Sequence, residues 1–101
     1  MARPRRLRVG AIRHKVVIGS GVDMDGKQGL FDESRQTIHV APGLGPDVER
    51  ETSVHEAIHA AIAQTAFRNN LDSEEELAAS LAPIIYAMIR DNKDWVAWLQ
   101  E

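Results

Sequence analysis

Residues 55–59 read His55-Glu56-Ala57-Ile58-His59, an H-E-x-x-H pentad, and no other feature of the chain narrows its fold as much. The pattern works only on a helix. There, a spacing of four residues is a little over one turn, so both imidazoles leave the same face. Two neutral rings so placed can share one Zn²⁺. Glu56 sits about 100° around the helix from His55. Its carboxylate therefore lies beside the metal, where it can take a proton from a metal-bound water. The motif names a metal, a base and a reaction type together.

The surrounding residues fit that helix. Val54, Ala57, Ile58, Ala60, Ala61, Ile62, Ala63 and Ala66 are apolar on most sides of the motif, which is the composition of a buried segment. Two histidines and a glutamate in such a segment need partners, and a metal would supply one for each imidazole. Pro46 suits a first helical turn, with Asp47, Glu49 and Glu51 near the positive end of the dipole. The helix is predicted over about 46–69, ending at Asn69-Asn70.

Ahead of it the pattern is β-type. Residues 7–10 and 14–18 read as strands around a turn at 11–13. A polar, glycine-rich loop follows over 19–27. No helix opens from it, so it is not a phosphate fingerprint, and it lacks the terminal glutamate of a calcium loop. Gly29-Leu30-Phe31 and Thr37-Ile38-His39-Val40, joined by turn-type residues 32–35, predict a hairpin. His14 and His39 are both expected to face solvent. The fold expected is α+β: a small antiparallel sheet of hairpins over about 7–41, packed on the H-E-x-x-H helix and on a second helix over about 73–91.

That second helix opens with an S-x-x-E capping box, Ser73 to Glu76. Leu77, Leu81, Ile84 and Met88 recur at helical spacing and are assigned to the core, with Pro83 expected to bend the helix. Trp95 and Trp98, in a last short helix, are expected to cover that core. Zinc wants a third protein ligand, and the positions for the glycine and third histidine of the longer H-E-x-x-H-x-x-G-x-x-H pattern hold Ile62 and Thr65. The next donors are Glu74, Glu75 and Glu76. With Leu77 at zero, the helical period of about 100° per residue puts Glu76 away from the apolar arc, Glu74 within it, and Glu75 at its edge beside Ala78 and Ala82. Those alanines would let two helices approach closely. Glu75 ranks first as the ligand, Glu74 second and Glu76 last.

Composition sets outer bounds. A chain of 101 residues supports one modest core. The expected organisation is a basic N-terminal tail over 1–6 and a single domain over 7–101. There is no cysteine, which removes disulfide and thiolate sites and fits a reducing compartment such as the cytoplasm. No apolar run is long enough for a membrane span. Arg3, Arg5, Arg6 and Arg8 make a cationic arm on a chain of net charge −3. No aromatic residue interleaves with them, so the arm reads as a solvated tail and nucleic acid is not an expected partner.

At this point the chain resembles small phage- and prophage-encoded zincin-like proteins. The matching stretches are Gly29-Leu30-Phe31-Asp32 with Ile38-His39-Val40, then residues 52–60 around the motif, then residues 75–83. More distantly it is similar to zinc peptidases that cleave phage-type repressors. Those carry E-x-x-A-N-x-F-A; here Glu75-Glu76-Leu77-Ala78-Ala79-Ser80-Leu81-Ala82 has Ala79 and Leu81 in place of Asn and Phe. The resemblance implies a gluzincin-type metallopeptidase in which Zn²⁺ is held by His55, His59 and Glu75, with Glu56 as base. It also implies a peptide substrate bound along an edge strand at 37–40, and host cytoplasm as the location. The alternative is a non-catalytic zinc-containing module that binds protein.

Overall fold

The computed structural model describes residues 2–101. Strands β1 (Arg6–Val9), β2 (Ile12–Ile18), β3 (Gly29–Asp32) and β4 (Thr37–Val40) precede helices α1 (Pro46–Ile62), α2 (Glu74–Arg90) and α3 (Lys93–Leu99). The fold is α+β, as the sequence pattern requires. Gly10, at φ +58°, leads a two-residue turn between β1 and β2, where a side chain would strain the backbone.

The sheet is mixed, not a simple run of antiparallel hairpins. Its order is β1-β2-β4-β3. Each hairpin is antiparallel, but β2 and β4 lie side by side in parallel. The seam is set by apolar pairing: Val16 stands beside Ile38 and Ile18 beside Val40. Ile38 and Val40 are completely buried, each worth roughly 1.5–3 kcal/mol relative to exposure. Strand 37–40 is thereby flanked on both sides, so it is internal and cannot serve as the peptide-binding edge. The free edges are β1 and β3.

Alternation divides β2 into an inner face, where His14 and Val16 are buried, and an outer face carrying exposed Arg13, Lys15 and Val17. His14 is thus a core residue and not a surface one. Its ring meets Phe31 edge-on at 5.6 Å between centroids, and its Nδ1 has no partner. His39 is also buried, on the outer face. Ser20, from the loop after β2, lies 2.9 Å from its Nδ1, and Met24 of the same loop is buried too.

Helix α1 packs on β3 and β4, and its buried stripe is Thr52, Glu56 and Ala60. It ends at Ile62, seven residues short of the expected boundary. Beyond Ala63 the amides of Gln64 and Thr65 turn back three residues to Ala61 and Ile62. The Thr65 hydroxyl donates to the Ile62 carbonyl and accepts from the Phe67 amide, and Asn69 is left-handed. These local bonds replace the helical ladder.

Helix α2 runs continuously through Pro83 and packs on α1 by its alanines, Ala78 and Ala82. The capping box does not form: Ser73 makes no side-chain cap bond. Leu77, Ile84 and Met88 point outward, with Ile84 62% exposed, and Trp98 on α3 is 66% exposed. Leu81 alone of the expected core stripe is half-buried; the rest of it and the tryptophan cover are surface. The reason is geometric. Small side chains bring α2 close to α1, and the large stripe lies about 100° around the helix, where no third layer exists to cover it. No described helix is long and apolar enough to cross a membrane.

Candidate metal centre

The α1 spacing does what the pentad demands. The rings of His55 and His59 lie 5.1 Å apart between centroids, on one face. The segment between the helices returns the chain so that the first turn of α2 meets them. Glu75 reaches both rings: Oε1 is 2.8 Å from Nε2 of His55, and Oε2 is 2.7 Å from Nε2 of His59. Glu74 goes elsewhere, to Nδ1 of His59 at 2.6 Å. The two glutamates left open by the helical angles thus take different places. Glu76 is exposed and joins neither ring. Tyr86 donates its hydroxyl proton to Asp47 at 2.8 Å, away from the cluster.

Glu56 is buried beneath the rings, with Oε2 at 3.9 Å from Nε2 of His55. It fits there because β3 carries Gly29 opposite it. A Cβ on Gly29 would come 2.7 Å from Thr52 Cγ2 and 2.9 Å from Glu56 Oε2. The Gly29 signal was available in the sequence only as a glycine inside a strand, which marks a close approach.

The charges follow from this packing. Burial pushes the Glu56 carboxyl above the usual carboxylate range, and the neighbouring imidazoles pull part of that back. Burial lowers His59, but hydrogen bonds to Glu74 and Glu75 outweigh it, so its pKa is raised. Partial burial raises Glu75, but the His59 bond and the charges of both rings outweigh it, so its pKa is lowered. His59 meets a carboxylate at each nitrogen, which is the arrangement of an imidazolium donating twice. A cation at Nε2 would take the place of one proton, and Glu74 would keep the other.

The donor set fits zinc. One ligand atom from each of His55, His59 and Glu75 lies within 4.8 Å of the others. Two imidazole nitrogens and a carboxylate are the ligands of many catalytic zinc sites. Glu74 supplies the carboxylate that such histidines commonly engage through the second ring nitrogen. The cluster opens on a cleft of about 1000 Å³. One wall comes from Lys27, Gly29 and Phe31, the other from Glu75, Ala79 and Pro83, and α1 forms the floor. Two residues escaped the linear reading: Glu74 in its orienting position, and Lys27, whose charge opposes the rise in Glu56. Nothing in the spacing of the glycine-rich loop marks Lys27 for the cleft. No protein-family model matches the chain, and no match is found among curated proteins or solved structures.

Proposed function

We propose that the chain is a minimal zinc-dependent metallopeptidase of gluzincin type. His55, His59 and Glu75 would hold the ion, and Glu56 is the general base. The observation that carries this reading is the single carboxylate of Glu75 meeting both Nε2 atoms, with Glu56 buried alongside. When bound, Zn²⁺ supplies Lewis acidity, which polarises a peptide carbonyl and lowers the pKa of a water. Glu56 accepts a proton from the attacking water as its oxygen adds to the carbonyl carbon. It then passes that proton to the amine as the C–N bond breaks. Burial raises the Glu56 carboxyl above the usual carboxylate range, and a bound cation would oppose that rise. Glu74 would hold the His59 proton at Nδ1 and leave the Nε2 lone pair free for a metal.

The substrate class is an extended peptide. β3 has a free edge, and its Gly29 lies against Glu56. A chain adding to that edge as a further strand would pass the cleft. The test is metal content by native mass spectrometry, with cleavage of a peptide library. One zinc per chain, lost in His59→Ala, together with cleavage lost in a zinc-loaded Glu56→Gln variant, supports the reading. A wild-type protein that retains zinc and binds peptides but cleaves none favours the non-catalytic module.

A further inference from the structure

Strand pairing gathers four cations that linear order scatters. In the β1–β2 hairpin Arg6 stands opposite Lys15, and Arg8 opposite Arg13. Cross-strand partners share a face, as do residues two apart on one strand. All four side chains therefore leave the same side of the ribbon. His14 and Val16, between them, are buried on the other side, so the cationic side is the outer one, and all four are exposed. Like charges set directly opposite destabilise a ribbon. Here nothing answers them: among the described residues none of the four side chains forms an ion pair. The chain has the acids to do so, with 15 Asp and Glu against 12 Lys and Arg, but Asp32, in register with Lys15 across β4, is paired with Arg35 instead.

We propose that this face is a binding site for the phosphate backbone of duplex DNA. The four charges form a small rectangle, roughly 7 Å along the strand and about 5 Å across it. Because β2 also pairs with β4, the hairpin is the edge of a four-stranded sheet and lays its flat cationic face across the backbone instead of entering a groove; duplex DNA offers that face one phosphate per about 1.7 Å of its axis. Single-strand binding relies on aromatic stacking, and the outward residues of the ribbon are Arg6, Arg8, Arg13, Lys15 and Val17, with no aromatic among them. A membrane surface would call for apolar side chains to insert, but the hairpin tip carries Gly10 and Ala11. The arginines read as a tail in linear order because Arg13 and Lys15 lie beyond the turn; pairing puts them in register. Helix α1 packs on the opposite face of the sheet, so DNA seated here leaves the metal cluster open.

Fluorescence anisotropy with a 20-base-pair DNA duplex tests this across 50–200 mM salt. Four phosphate contacts predict a log–log salt slope of about −3.6, which is about a 150-fold loss of affinity over that range. Neutralising one cross-strand pair, R8Q/R13Q, should halve the slope, and neutralising all four should abolish binding. These variants relieve repulsion, so they should keep or exceed the wild-type melting temperature, and lost binding then reads as lost contacts. Removing residues 1–4 should change nothing. Binding that survives in the fourfold variant overturns the proposal. So does binding that vanishes with residues 1–4, or affinity for single strands, duplex RNA or phosphatidylserine vesicles equal to that for duplex DNA.

Discussion

Glu74 Oε2 lies 2.6 Å from Nδ1 of His59, on the side of the ring away from Glu75. That carboxylate orients the ring and, with a metal at Nε2, would keep the remaining proton on Nδ1. Partners of this kind typically govern metal affinity by about 10–100-fold. Glu74→Gln should therefore weaken zinc affinity by roughly that factor, while Glu75→Ala should remove tight binding altogether. Competition with a chromophoric chelator reads both. Equal losses in the two variants would mean that Glu74 is itself a ligand.

Glu56 is buried with its carboxyl pKa raised by desolvation. Its replacement by the uncharged Gln removes that burial cost without changing shape. Glu56→Gln should keep the zinc stoichiometry and hold or raise the melting temperature, yet lose peptide hydrolysis. A drop in melting temperature of many degrees would show that the carboxylate is structural.

Gly29 leaves no room for a methyl group, with Thr52 Cγ2 at 2.7 Å from where its Cβ would stand. Overpacking of this kind typically costs about 1–3 kcal/mol. Gly29→Ala should destabilise the fold by that amount in urea titration, and Gly29→Ala with Thr52→Ser, which removes the struck methyl but leaves Glu56 Oε2 at 2.9 Å, should recover part of it. If Gly29→Ala is neutral, β3 does not press on α1 as described.

Asp32 closes the β3–β4 turn. Hydrogen bonds from Arg35 and then Ser34 hold its carboxyl below the usual carboxylate range. The folded pKa is lowered, so the contribution to stability is present above the unfolded value, 3.8, and is lost as pH falls through the folded value. The side chain is half-buried at the turn, but its Arg35 partner is exposed, so the effect is small. An NMR titration should place the Asp32 midpoint below 3.8, and Asp32→Asn should flatten that part of the acid limb. A midpoint above that value contradicts the turn geometry.

Local pattern carried much of this protein. Residues 46–62 make a helix because Pro46 and the acids after it suit a first turn and good helix formers follow, and alternation of the kind in 14–18 makes strands because one side must be buried. Ala78 and Ala82 beside Glu75 already said which side of α2 could approach a neighbour. Those are short-range properties, written within one or two turns of chain.

Long-range competition decided the rest. Whether strand 37–40 is an edge depends on what pairs with it, and the parallel seam with β2 arises between residues more than twenty positions apart. The same seam and the loop over it bury His39, which alternation alone left outside. Leu77, Ile84 and Met88 have the spacing of a core but no layer to cover them, because the alanines of α2 had already claimed α1. The division of labour between Glu74 and Glu75 follows from the way the segment between the helices returns the chain, and so do the four cations from the pairing of the first hairpin. A sequence specifies which side chains can share a face of one element; which face meets another is fixed only when the whole chain has packed.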